Sequence, residues 1–409
     1  MQPPSRPLRV VAVLPEPTPY RTPLLDRLAR RPELELTAVY SAGAIAGNRW
    51  DHSPGHPHLV LHGVRVPGAA RILRHDYPLT PGVFSALGRL RPDVVVVTGW
   101  STFASQVAIL WSLARQVPFV LQVESHELGR RPVWRRALKR AVVTPAVRRA
   151  AGALVTGTLA RDAVLARGAD PAHVRVFANT VDTHAFAREA ELARAGLPAL
   201  RARLGITAGE TAVLCVARLS PEKGLDVLVR AAAAAGSEIH VLVAGTGSEN
   251  DVLERLARDL GVRLTLLGGV PWERIAETYA AVDVFALLSR HEPWGVVVNE
   301  AAACGLPLVL SDRVGAAPDL LEPGRNGYLV PVDDANGAAA ALTELGNNPP
   351  LRRAMGQRSH EIAAAWAYEP SVDSFLAAVE QAARAGSGQD GARPRKRRFL
   401  RPGGRAGRR

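Results

Sequence analysis

The stretch SRHEPWGVVVNEAAACGLPLVLSD, residues 289–312, carries two glutamates, Glu292 and Glu300, with seven residues between them. Carboxylates accept hydrogen bonds from sugar hydroxyls, so a loop acid and a helical acid two turns on can hold two polyols at once. Upstream, LCVARLSPEKG (214–224) places Arg218 and Lys223 in one loop. A guanidinium grips two phosphate oxygens with a fixed fork and an ammonium acts as a mobile point charge, so the pair suits a diphosphate. Lysine is rare here: of 51 Lys and Arg residues only Lys139, Lys223 and Lys396 are lysine. A third stretch, Gly245-Thr246-Gly247-Ser248, is a glycine turn whose free N–H groups can take part of a nucleotide. Each feature also has a plain structural reading, as two surface cations or a common glycine turn. That reading is weakest for Glu300, which is embedded among apolar neighbours.

The elements that must position these groups read as two consecutive strand–helix series. The first runs through strands 9–14, 34–40, 93–98, 119–123, 153–156 and 173–178, with helices over 23–30 and 102–115. The second runs through strands 212–217, 239–244, 263–267, 284–288, 307–310 and 328–330, with helices over 225–235, 250–260, 272–281 and 296–303. The Ala/Leu/Arg-rich stretch 190–202 reads as a connection. The expected fold is α/β, two doubly wound Rossmann-like parallel sheets facing a cleft, with each crevice at the carboxyl ends of the strands. Arg218 and Lys223 then stand at one strand end. Ser289 ends another strand, Glu292 lies in the loop, Gly295 admits close backbone approach, and Val296 opens the helix that carries Glu300. The expected divisions are 1–190, 191–366, a helix over 367–387 crossing back to the first domain, and a tail over 388–409.

Composition bounds the rest. With 409 residues, 47% hydrophobic and 22% charged, the chain can build two ordinary cores. Two cysteines, Cys215 and Cys304, leave no disulfide framework and fit a reducing compartment. The apolar run Val10–Leu14 is too short for a signal peptide, and Val107–Val123 is broken by Arg115 and Gln116 before it reaches the ~18 residues of a membrane span. The expectation is a cytoplasmic protein, with peripheral contact at the inner face of a membrane left open. Of the formal charge of +13, residues 393–409 contribute nine basic side chains and no acid, leaving 13 − 9 = +4 elsewhere. That tail reads as disordered and either merely solvated or in contact with anionic lipid; nucleic acid is not the expected partner. The segment 130–149 has eight basic residues and no acid. It reads equally as a helix on an anionic membrane or as a core-packed helix with a basic outer face.

Arg218…Lys223-Gly224 resembles the R-x-x-x-x-K-G phosphate motif of family-4 glycosyltransferases, and Glu292…Glu300 resembles their E-x7-E motif. Ser311-Asp312…Gly315…Pro323-Gly324…Asn326-Gly327 follows the same layout, so the likeness is strongest over 205–335. The resemblance implies the GT-B fold and a nucleotide-diphosphate-sugar donor, UDP- or GDP-linked, on the C-terminal domain. It implies that Arg218 and Lys223 bind the diphosphate, Glu300 the ribose and Glu292 the donor sugar. Backbone at Gly245, Gly247, Gly295, Val296 and Gly315 would approach the donor. It also implies retention of anomeric configuration through front-face attack. No Asp-x-Asp metal motif is present, so no metal and no further cofactor are expected; two cations and a helix N-terminus must stabilise the leaving diphosphate.

The first half should bind the acceptor, whether glycan, lipid-linked or small molecule. Glu124-Ser125-His126-Glu127 follows the strand 119–123, and by the resemblance His126 lies beside the donor sugar. Pro15-Glu16-Pro17-Thr18-Pro19-Tyr20 replaces the family's glycine-rich loop, and Asn179-Thr180-Val181-Asp182 has threonine where its N-G-V-D turn has glycine. His52, His56, His58 and His62 cluster among Pro54, Gly55 and Pro57, which reads as an acceptor-side loop rather than a metal site. A nucleotide-sugar epimerase of the same architecture and a non-catalytic sugar-nucleotide-binding protein are the alternative readings. Oligomeric state is not legible.

Overall fold

The computed structural model describes residues 6–43, 54–65, 77–124 and 143–387. Strands β1 (Leu8–Leu14), β2 (Leu34–Tyr40), β3 (His58–Val60), β4 (Val94–Thr98), β5 (Phe119–Val123), β6 (Gly152–Val155) and β7 (Val174–Val176) form a sheet ordered β3-β2-β1-β4-β5-β6-β7. Strands β8 (Thr211–Val216), β9 (Ile239–Ala244), β10 (Arg263–Gly268), β11 (Val284–Leu287), β12 (Leu308–Ser311) and β13 (Gly327–Val330) form a second, ordered β10-β9-β8-β11-β12-β13. Every pairing between these strands is parallel. The order reverses beside β1 in one sheet and beside β8 in the other, which opens a crevice at each switch point.

These strands read as unbroken apolar runs because helices cover both faces of each sheet. In β1, Val10, Ala12 and Leu14 join a core with the helices Thr22–Ala29 and Tyr368–Ser387, while Val11 and Val13 join the opposite core with Ala104 and Ala108 of the helix Phe103–Arg115. The short β3 escapes sequence reading because all three of its residues are exposed at the sheet edge, with no apolar alternation to reveal it. The stretch 190–202 is not a plain connection. It holds parts of two helices, Thr183–Arg194 and Leu197–Arg203, the first capped by the Asp182 carboxylate, which accepts from the Ala185 amide at 2.9 Å. Alanine, leucine and arginine are strong helix formers, and Gly196 separates the two helices.

The chain passes twice between the two sheets, just before Thr183 and just before Tyr368. After the second passage the helix Tyr368–Ser387 lies on the first sheet, where Phe375 meets Phe177 with ring centroids 5.5 Å apart and Ser371 Oγ accepts from the Ala178 amide at 3.0 Å. Thr180 is buried at this junction. Its hydroxyl donates to the Trp366 carbonyl and accepts from Asn299 Nδ2 at 3.4 Å, so the hydroxyl that glycine would lack ties the two passages together. No helix among the described residues is long and apolar enough to cross a membrane. His126, the tail 393–409 and most of 130–149 lie outside the described residues; of that last segment, Val143 and Val147 are buried in the first domain's core.

Candidate active site

Lys223 and Glu292 and the loop of Gly315 come together at the carboxyl ends of β8, β11 and β12. Lys223 ends a single 3-10 turn, Pro221–Lys223, and Glu292 lies in the loop after β11. They meet as an ion pair, Nζ to Oε2, at 2.5 Å with each side chain only 13% exposed. Arg290 fastens the two loops to each other: its guanidinium donates to both Asp226 oxygens at 2.8 Å and to the Pro221 carbonyl at 2.6 Å, and its amide donates to the Glu222 carbonyl at 2.8 Å. Nothing in the sequence singled out Arg290 except its place two residues before Glu292. Arg218 stands farther out, its side chain 70% exposed and paired with Glu222 at 3.2 Å.

The glycines of the site serve backbone-to-backbone contact. Gly224 and Gly295 adopt left-handed φ of 63° and 92°, and Gly295 is the N-cap of the helix Val296–Ala303, whose first turn no side chain caps. A Cβ on Gly315 would stand 2.0 Å from the Pro293 carbonyl oxygen, and one on Gly245 or Gly247 would stand 1.9 or 2.1 Å from the carbonyls of Ala217 and Leu219. This modifies the sequence reading. The Gly315 and Ala316 amides donate at 2.9 Å to the carbonyls of Glu292 and Trp294, and the Gly245 amide donates at 2.7 Å to Gly268. An N–H has one proton to give, so those amides pin loops to each other. The uncapped amides at Val296 and Val297 remain for an anion.

Glu300 lies one helix deeper, 6% exposed, and its Oε2 accepts a 2.7 Å hydrogen bond from the Tyr279 hydroxyl. Burial pushes the Glu300 carboxyl up to about 7 against the opposing pull of that hydrogen bond. Burial first, and then Glu300, holds the Tyr279 hydroxyl well above its ordinary value, so Tyr279 is the donor. Tyr279 comes from the helix Trp272–Ala281 and carried no sequence signal.

In the first domain, Arg21, 4% exposed, stands at the foot of the helix Thr22–Ala29. Its guanidinium reaches Glu124 Oε1 at 2.5 Å and Asn179 Oδ1. With the Gln122 amide oxygen turned toward it, Gln122 also accepts from both terminal nitrogens at 2.7 and 3.0 Å and donates to Thr98 Oγ1 at 2.9 Å. Glu124 is thereby held at the end of β5. The domains touch directly where Asp319 accepts from the Thr158 amide at 2.9 and 3.1 Å and from its hydroxyl at 2.6 Å, beside Gly157.

Within the histidine cluster, whose His52 lies outside the described residues, His56 forms a structural relay. His56 Nδ1 lies 2.6 Å from Asp26 Oδ1 and its Nε2 lies 2.8 Å from the Tyr40 hydroxyl, which staples residues 54–58 to the first domain. Among the described residues no group of three or more His, Cys, Asp or Glu side chains is placed to hold a metal ion. A hollow of about 700 Å³ lined by Arg194, Arg201, Asp283, Arg352 and His360 lies at the amino ends of β11 and β12, and Arg218, Lys223, Glu292 and Glu300 do not line it. Ligands of doubly wound sheets bind at the opposite, carboxyl ends.

Comparison with known proteins agrees with this architecture. A family model described as glycosyl transferases group 1 matches residues 198–361, and one described as a glycosyl transferase 4-like domain matches residues 19–180. The chain is 31% identical over 310 residues to the GDP-mannose-dependent alpha-(1-6)-phosphatidylinositol monomannoside mannosyltransferase of Mycolicibacterium smegmatis, covering 70% of this chain and 77% of that protein. It is 38% identical over 209 residues to the D-inositol 3-phosphate glycosyltransferase of Nocardia farcinica, covering 46% of each. Among solved structures, HepE of Anabaena in complex with UDP and glucose superposes with a TM-score of 0.69 at 18% identity, over 91% of this chain and 99% of that one. Sucrose-phosphate synthase of Thermosynechococcus elongatus does so with a TM-score of 0.70 at 21% identity, over 92% and 100%. The two-sheet architecture is thus that of GT-B glycosyltransferases, and the chain belongs to the group 1 glycosyl transferases.

Proposed function

We propose that the protein is a retaining, metal-independent transferase that moves a sugar from a nucleotide-diphosphate donor to a hydroxyl of a lipid-linked or inositol-bearing acceptor. The observation that supports it best is the meeting of Lys223, Glu292 and the uncapped amides of Val296 and Val297 at one set of strand ends, with Glu300 on the same helix. The donor diphosphate takes Lys223 away from Glu292, and Arg218 swings in from the rim to share the charge. Glu300 accepts from the ribose, and Glu292, released from its cation, orients hydroxyls of the sugar. The bond from the anomeric carbon to the phosphate oxygen breaks, and a bond to the acceptor oxygen forms on the same face. The acceptor proton passes to the departing phosphate. Charge that builds on that phosphate is met by the two cations, by then drawn onto it, and by the fixed helix amides, electrostatic stabilisation of the kind that lowers such barriers most.

The relatives support a first choice of donor and acceptor. The mannosyltransferase aligned over most of its length is GDP-mannose-dependent and is named for a phosphatidylinositol monomannoside. GDP-mannose is therefore the first donor to offer, against a panel that includes UDP-glucose. Such an acceptor would put the enzyme at a membrane surface, docked from the cytoplasmic side. Calorimetry across the panel, followed by turnover with lipid extract in the presence of a chelator, tests the reading. It expects one preferred donor, activity that survives the chelator, and an α-linked product from an α-linked donor. An inverted product or a strict metal requirement would overturn it.

A further inference from the structure

We infer that Tyr279 is a positioning residue for nucleotide binding: its hydroxyl aims the buried Glu300 carboxylate at the ribose and favours its ionised form. The inference rests on the proposed role of Glu300 in holding the ribose.

The geometry leaves Glu300 few ways to remain charged. It is 6% exposed, on a helix whose facing residues Val298, Ala301, Ala302 and Ala303 are buried and apolar. Tyr279 OH, at 2.7 Å, donates to Oε2; its next acceptor, the Val297 carbonyl, is at 3.5 Å, so the short contact takes the proton. One carboxylate oxygen is thereby committed to the protein and the other is left to the ligand. A ribose presents two neighbouring hydroxyl donors, which an ionised carboxylate accepts and a protonated one answers with a competing O–H. Charged groups lie around this contact, Glu189 and Arg194 beside Cys304, Lys223 and Glu292 beside Cys215, Arg27 and Asp182 beside Tyr368. What acts on Glu300 itself is burial and the Tyr279 hydrogen bond; the three groups between are neutral. Cys215, across on β8, is pushed up to about 12 by burial; Cys304, one turn along the helix, and Tyr368, on the helix Tyr368–Ser387, are pushed higher still by burial. Arg194 donates to the Cys304 carbonyl and acts on that thiol. Tyr279 therefore supplies the hydrogen bond that favours the carboxylate. The same hydroxyl is fixed by its ring, which is fully buried against Phe186 and Phe285 at centroid distances of 6.4 and 6.0 Å.

The consequence is a rising limb in the pH profile of kcat/KM for the donor, since that quantity reports ionisations of the free enzyme. The limb should fall near pH 7 in the wild type, with activity gained as Glu300 loses its proton. In Tyr279→Phe the ring remains and the hydrogen bond goes, so the limb should move up by about one pH unit. At pH 6.5 donor KM should rise about tenfold, with kcat little changed, and the loss should fade by pH 9. Glu300→Gln should remove the limb altogether, and Tyr279→Phe added to Glu300→Gln should change neither KM nor the profile further.

Four outcomes decide. If Glu300→Gln leaves donor KM and the limb untouched, the ribose assignment itself fails. If Glu300→Gln raises KM but Tyr279→Phe leaves the limb in place, only the role of Tyr279 fails. If Tyr279→Phe does not fold but the double variant does, the carboxyl was being held by the hydroxyl and the inference stands. If neither folds, Tyr279 is a packing residue and the inference is overturned.

Discussion

A buried or near-buried cation meets a carboxylate at the strand ends of each domain, yet the two pairs are built differently. Lys223 and Glu292 are each 13% exposed, and among the described residues the ammonium donates to one side chain, Glu292, of the three hydrogen bonds it can make. Arg21 is 4% exposed and is surrounded: Glu124, Asn179 and Gln122 together occupy its fork. A group that must bind a transient anion keeps spare hydrogen-bonding capacity and one exchangeable partner. A group that only shapes a crevice spends its capacity internally. The difference is what the proposed function asks of Lys223 as a ligand-binding cation, and it leaves Arg21 as a support that holds Glu124 at the end of β5.

The largest expected effect tests that contrast through stability. Arg21→Met strips one guanidinium from three polar partners and leaves them without it, which costs about 3–5 kcal/mol for a buried pair. The 31% exposure of the Glu124 side chain pulls the expectation to the low end of that range. Urea unfolding of Arg21→Met and Lys223→Met side by side should show the larger loss at Arg21; equal losses would dissolve the distinction.

Glu300 sharpens the same point, because a binding carboxylate kept in a dry site lowers stability. Its folded-state ionisation is raised from the ordinary carboxylate value to about 7. The folded protein therefore binds a proton that the unfolded chain has already released. This contribution is fully present below about pH 4.5 and is lost as pH rises through 7. At pH 8 the wild type carries an ionised buried acid, so Glu300→Gln should be more stable by about 3 kcal/mol, and near pH 4 the advantage should vanish. A denaturation midpoint for Glu300→Gln that tracks the wild type across this range would refute the burial argument.

Next in size is Lys223→Ala, which should weaken nucleotide-diphosphate binding by about 1.5–3 kcal/mol, the worth of a charge-assisted contact. Calorimetry checks it directly, and unchanged affinity would remove Lys223 from the donor site. The two glutamates should then fail in different ways. Glu292→Gln should lower kcat by roughly tenfold or more, because it addresses the sugar that gains positive charge in the transition state. Glu300→Gln should chiefly raise donor KM, because the ribose is unchanged by the reaction. If Glu292→Gln raised KM alone, the division of roles would be wrong. The smallest effect is expected at the other end of the chain. Deleting 388–409 should leave turnover of a soluble acceptor unchanged while weakening, in a salt-dependent way, binding to anionic vesicles.

Sequence by itself determined the two series of strands and helices, since parallel strands covered on both faces must be apolar throughout, and β2, β5 and β9 begin and end where their patterns do. It also determined the donor motif, because Lys223, Glu292 and Glu300 lie in short stretches whose spacing fixes loop, cap and helix face. It could not reveal β3, which is exposed and buries no apolar face, nor the helices over 183–203, whose alanine and arginine carry propensity without a clear stripe. Tyr279 and Arg21 are single residues in ordinary helices, 21 and 103 positions from Glu300 and Glu124. Their importance comes from which side chains the sheets bring opposite them. Likewise the Gly315 and Gly245 amides look free in a one-dimensional reading, and only the packing of loop on loop shows them spent. Local pattern sets which elements form; the pairing of buried polar groups across distant segments is decided when those elements close on each other, because only then does burial make each unpaired donor or charge costly.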